Sequence, residues 1–145
     1  MKYDAERILV KCPNWIGDMV AATASLRCLR RNYPQARITL LLRPYVRGVA
    51  ENAPWFDDMI FYDRHAEKGP GFMATAKGIR QRRYDLGVLM THSFSSAALM
   101  KMGGVKRRVG HAKGARSLLL TDRVAWPSGE QDPDRVPKVA VYRSL

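Results

Sequence analysis

The stretch KCPNWIGDMVAATASL, Lys11 to Leu26, carries an apolar segment into a polar turn and then into a helix-like pattern. The residues ahead of it, RILVKC (Arg7–Cys12), suit a strand, because a run of β-branched and apolar side chains between polar flanks is how a buried strand reads. After it, Asp18 is placed to cap a helix from Met19 to Tyr33, with Val20, Leu26, Leu29 and Tyr33 among its apolar positions and Pro34 stopping it. The same alternation continues outward. ARITLLL (Ala36–Leu42), DDMIFYD (Asp57–Asp63), YDLGVLM (Tyr84–Met90) and KRRVG (Lys106–Gly110) read as strands, and SLLLTDRV as a sixth element. Between them lie helical segments over Pro44–Asn52, Phe72–Arg83 and Ser95–Met102, the last stopped by Gly103–Gly104. Strands alternating with helices in this way predict an α/β fold built on a parallel sheet.

The chain has 145 residues, enough for one core, and 46% of them are hydrophobic, so a single ordered domain over residues 1–125 is expected. From Trp126 onward, Pro127, Pro133 and Pro137 interleave with Glu130, Asp132 and Asp134, which reads as a linker or surface crossing over 126–145. The formal net charge of +12 favours anionic partners: nucleic acid, acidic phospholipid or phosphorylated sugar. Cys12 and Cys28 have no ligand spacing around them, and His65, His92 and His111 lie in separate loops, so neither a zinc site nor a disulfide framework is indicated. The opening MKYDAERILVKC alternates charge with apolar residues and lacks the continuous apolar core of a signal peptide, so export is not expected. The longest uncharged run, Leu86–Met100, is too short to cross a bilayer, so a soluble cytoplasmic protein with reduced thiols is expected.

Ligands of open parallel sheets gather at the carboxyl ends of the strands. Here those loops are Pro13–Asp18, Arg43–Arg47, Asp63–Gly71, Thr91–Ser95 and Gly110–Arg116. Gly17 stands alone, so no dinucleotide fingerprint is present, and no G-K-[ST] marks a phosphate loop. A carboxylate at the head of a helix disfavours phosphate there and suits a general base; an N-cap is the other reading of Asp18. Gly17 leaves room for a substrate, Asn14 offers an amide, and Trp15 offers a stacking face or a core plug. Ser93 and Ser95 belong to a hydroxyl-rich turn that also suits helix capping. Lys101–Arg116 holds six cations and no acid, an anion platform or a solvated face, and Lys77, Arg80, Arg82 and Arg83 suit the outer face of a helix. No zinc finger, basic zipper or RRM signature is present, so nucleic-acid binding would rest on charge alone.

PNWIGDMV, YPQARITLLLRP and YDLGVLMTHSFSSAALMKMGGVKRRVGHAKGARSLLLTDRV, in that order, resemble the N-terminal half of the lipopolysaccharide heptosyltransferases of glycosyltransferase family 9, nearest the heptosyltransferase II branch. The resemblance implies a Rossmann-like doubly wound sheet forming one half of a GT-B enzyme. It implies metal-independent, inverting transfer of heptose from ADP-heptose to the lipopolysaccharide inner core, without a cofactor, at the cytoplasmic face of the inner membrane. It maps the general base onto Asp18 and the acceptor site onto Asn14, Trp15, Gly17, Ser93 and Ser95. Arg43, Arg47, Arg107, Arg108 and Lys113 are then candidates for the acceptor's phosphate and carboxylate groups, and a basic face could rest on anionic lipid. Thr91 and His92 stand where that branch shows a Pro-Asn pair. The family's donor-binding domain has no counterpart in these residues, so the expectation is a chain inactive by itself: a cut or truncated product, or one domain of an enzyme completed elsewhere. The rival readings are a stand-alone basic module for nucleic acid or anionic lipid, and a family 9 transferase with another acceptor.

Overall fold

In the computed structural model, which describes residues 3–125, six strands form one parallel sheet. The linker expected over 126–145 lies outside the described residues. β1 (Arg7–Lys11) is followed by α1 (Ile16–Asn32) and β2 (Arg37–Leu42). A 3-10 turn (Pro44–Val46) runs into the one-turn helix α2 (Arg47–Ala50) and then β3 (Asp58–Phe61). α3 (Phe72–Arg82), β4 (Leu86–Leu89), α4 (Phe94–Met102) and β5 (Arg107–His111) follow, and a 3-10 helix (Gly114–Leu119) precedes β6 (Asp122–Val124). The strand order is β3-β2-β1-β4-β5-β6, the doubly wound arrangement expected from the sequence.

The two faces of the sheet follow from the period of two along each strand. Ile8, Val10, Ile38, Leu40, Leu86 and Val88 pack on one side with Met19, Ala22 and Leu26 of α1. Leu9, Leu41 and Leu89 pack on the other with Ala76 and Ile79 of α3 and Leu99 and Met100 of α4. Because both faces are covered, the central strands read as continuous apolar runs rather than alternating ones.

The seams differ from expectation in places. α1 begins at Ile16, three residues before the expected start, and Trp15 occupies its N-cap without a side-chain bond. Asp18 is therefore not the cap; it sits within the first turn, where a carboxylate still meets the positive end of the helix. Val20, one of the apolar positions read in that helix, is exposed. SLLLTDRV divides between the second 3-10 helix and β6.

Gly103, the residue closing α4, lies against α3. A Cβ there would stand 2.5 Å from Ile79 Cγ2, 2.9 Å from Ile79 Cβ and 3.1 Å from the Leu99 carbonyl. Gly103→Ala is expected to lower stability by about 1–3 kcal/mol through overpacking. Gly48→Ala, in α2, meets open space and should not destabilise. Urea denaturation of the two variants checks this; equal midpoints would contradict the close contact of α3 with α4.

Candidate active site

β1 and β4 are neighbours, yet the chain leaves them for opposite faces of the sheet, so a crevice opens outside their carboxyl ends. Residues 12–15 with the head of α1 follow β1 there, and residues 90–93 follow β4. Asp18 is the third residue of α1, half-buried, and its carboxylate makes no hydrogen bond or ion pair among the described residues. Gly17 beside it faces open space, with nothing within 4 Å of a notional Cβ. Trp15 is 64% exposed, so it is not a core plug. Tyr45, in the 3-10 turn after β2, and Phe94, the first residue of α4, are likewise exposed apolar groups at the same edge.

Asn14 is held from below. Lys11, the last residue of β1, donates from Nζ to the Cys12 carbonyl at 3.0 Å and to Asn14 Oδ1 at 3.1 Å. Its side chain shares a face with Leu9 and is buried, which pushes its pKa down to about 8. On the other wall, Ser93 caps α4: its Oγ accepts from the Ser96 amide at 3.3 Å and pairs with Ser96 Oγ at 2.7 Å. The capping reading of Ser93 is the one seen, and Ser95 Oγ reaches Ser93 Oγ at 3.4 Å. Thr91 is buried at the carboxyl end of β4, and its hydroxyl has no hydrogen-bond partner among the described residues.

The basic candidates separate. Arg43 pairs with Asp63 at 3.5 Å, and Arg47 pairs with Glu51 at 3.0 Å while lying over the Phe61 ring, both past the end of β2. Lys113 is exposed beyond β5. Arg107 and Arg108 do not belong to the crevice, because β5 starts with them and its parallel register sets them beside Leu86 and Gly87, at the amino edge. There Arg107 pairs with Asp122 at 3.1 Å, and Arg108 donates to the carbonyls of Leu119 at 2.6 Å and Val105 at 2.7 Å.

Sequence reading counted Arg116 only as one cation of the Lys101–Arg116 run and did not foresee its burial. The second 3-10 helix turns it back onto Gly110, next to His111, where it is 2% exposed. None of its three guanidinium nitrogens has a hydrogen-bond partner among the described residues. Burial drives its pKa down to about 10. Burial also lowers His111 to about 4, with the Arg116 charge adding to the effect, and the His92 ring lies 5.9 Å from that of His111. A buried cation without a partner is costly to hold in the fold. Among the described residues, no three His, Cys, Asp or Glu side chains converge as a metal cage.

Residues 72–139 match glycosyltransferase family 9 (heptosyltransferase). The chain is 29% identical over 132 residues to lipopolysaccharide heptosyltransferase 2 of Escherichia coli K12. It is 26% identical over 118 residues to lipooligosaccharide heptosyltransferase 2 of Haemophilus ducreyi. These alignments cover 83% and 80% of this chain but only 37% and 34% of those proteins. The structure of the E. coli ADP-heptose heptosyltransferase II superposes with a TM-score of 0.73 at 26% identity, covering 94% of this chain and 40% of that one. A family 9 glycosyltransferase from Veillonella parvula superposes at 0.79 with 21% identity, which bears on the fold alone. The heptosyltransferase resemblance read from the motifs is thereby supported, as is the Rossmann-like architecture; the alternative of a stand-alone binding module is not favoured. Among the described residues, no helix is long and apolar enough to cross a membrane.

Proposed function

We propose that this chain is the acceptor-side half of an inverting glycosyltransferase that moves heptose from ADP-heptose to the lipopolysaccharide inner core. The observation that carries this reading is the Asp18 carboxylate, uncommitted among the described residues, on the first turn of α1 beside open Gly17 at the switch point. An acceptor hydroxyl placed there gives its proton to Asp18 as its oxygen attacks the anomeric carbon of heptose. The bond from that carbon to the diphosphate breaks, and ADP leaves with the bonding electrons. The reaction needs no metal or cofactor. Trp15 gives the acceptor sugar an apolar face, and the Asn14 amide, steadied by Lys11, gives it a polar contact. Arg43, Arg47 and Lys113 line the approach for phosphate and carboxylate groups, and Arg116 gives an anion a buried partner.

The donor is held by a second unit outside these residues, since the alignments span little more than a third of the heptosyltransferases they match. The site works at the cytoplasmic face of the inner membrane, where a chain of net charge +12 is drawn to anionic lipid. Alignment of donor and acceptor supplies most of the rate in such a transfer. The 145 residues alone are therefore expected to bind an inner-core acceptor without transferring heptose. Assaying heptose transfer from ADP-heptose by the isolated chain, and by the chain joined to a donor-binding half, tests this: transfer by the isolated chain would overturn it.

A further inference from the structure

The sheet edge opposite the crevice holds a second recess. Over the amino ends of β1, β2 and β3, on the α3 side, a cavity of about 300 Å³ is lined by Arg7, Arg37, Thr39, Asp58, Arg82 and Tyr84. Register brings these residues together. Arg7 pairs with Arg37 and Thr39 with Asp58 across the strands, while Arg82 ends α3 above them and Tyr84 follows two residues on.

Three cations face one acid in this recess, and the acid is already engaged, since Asp58 Oδ2 accepts from Arg37 Nε at 2.7 Å. Arg7 donates from Nη1 to the Arg82 carbonyl at 2.7 Å, which covers a negative helix end that would otherwise repel an anion. The Arg82 side chain makes no hydrogen bond or ion pair among the described residues. The floor is closed: Thr39 is 1% and Tyr84 2% exposed, and the Tyr84 hydroxyl has no hydrogen-bond partner among the described residues. Buried hydroxyls are nearly always bonded, so an orphan in the floor of a recess lined by three arginines marks a place for an oxygen-rich anion.

We propose that this recess binds a phosphate monoester carried by a small soluble molecule, with Arg82 and Tyr84 as its principal contacts. The site lies at the other end of the strands from Asp18 and is independent of the transferase reading. Arginine forks suit tetrahedral oxyanions, and the recessed floor favours a small molecule over a planar bilayer surface.

Isothermal titration of the chain with inorganic phosphate, together with thermal melts in its presence, tests the site. Saturable binding is expected, weakened about tenfold or more in Arg82→Gln and several-fold in Tyr84→Phe, and unchanged in Lys77→Gln, an exposed cation on α3 outside the recess. Without phosphate, Tyr84→Phe should be as stable as the parent chain or more so, because it removes an unpaired buried hydroxyl; with phosphate, the parent should gain melting temperature and Arg82→Gln should not. No saturable binding, or equal weakening by Lys77→Gln, would overturn the proposal. Co-sedimentation with phosphatidate vesicles should be the same for the parent and Arg82→Gln. A loss confined to Arg82→Gln would place the group on a lipid headgroup and overturn the soluble ligand.

Discussion

Asp18→Asn, made in an enzyme that joins this chain to a donor-binding half, lowers kcat by about 10²–10⁴-fold and leaves the acceptor KM nearly unchanged. The substitution keeps shape and polarity but gives the acceptor hydroxyl no group able to take its proton. Its structural cost is small: Asp18 holds no hydrogen bond or ion pair among the described residues, and the helix end loses only the attraction of one carboxylate, about 0.3–1 kcal/mol. A fall in kcat of this size with only a small drop in the urea midpoint therefore separates chemistry from folding. Asp18→Glu should retain part of the rate, because it restores a base about one methylene out of place. A near-normal kcat in Asp18→Asn would remove this residue from the reaction.

The second large effect is on stability in acid. His111 is fully buried, and its pKa stands at about 4 in the folded chain against an ordinary value of 6.5. Above pH 6.5 it is neutral in both states and contributes no pH dependence. Between 6.5 and 4 the unfolded chain takes up a proton that the folded chain refuses, so stability falls as pH falls, by up to about 3 kcal/mol. Burial is the main cause and the Arg116 charge adds to it, while the His92 ring packs 5.9 Å away. Asp57, Asp85 and Asp122 are held below the ordinary carboxylate value of 3.8, so the stability they lend is lost at lower pH than this window. Urea midpoints measured from about pH 7 to about pH 4 should drop steeply for the parent chain and much less for His111→Gln. Parallel slopes would show that His111 titrates freely.

The sequence revealed the sheet more readily than the site, for reasons visible in particular residues. Ile8–Val10, Ile38–Leu42 and Leu86–Leu89 are apolar on both faces, so their strands were legible, and Gly103–Gly104 marked the end of α4. The start of α1 was misplaced because aspartate favours both the cap and the first turn, and the residue that does cap, Trp15, has no acceptor to announce it. Arg107 and Arg108 lie six and five residues from Lys113 in sequence, yet a five-residue strand at about 3.3 Å per residue carries the chain from the amino edge to the crevice between them. Lys11 could have been found, since it keeps the period of Leu9 and so belongs to a buried face. Arg116 could not: a 3-10 turn folds it inward, and no periodicity in GARSLL distinguishes it from a solvated arginine.

In the proposed reaction the crevice between β1 and β4 receives an anionic sugar. Backbone amide spectra of the 145-residue chain, titrated with a phosphorylated, carboxylate-bearing inner-core saccharide, test that most directly. The largest shifts should fall on Asn14 to Asp18 and Thr91 to Ser93, saturating together. Saturable shifts confined to the amino edge of the sheet, or none at any concentration, would contradict it.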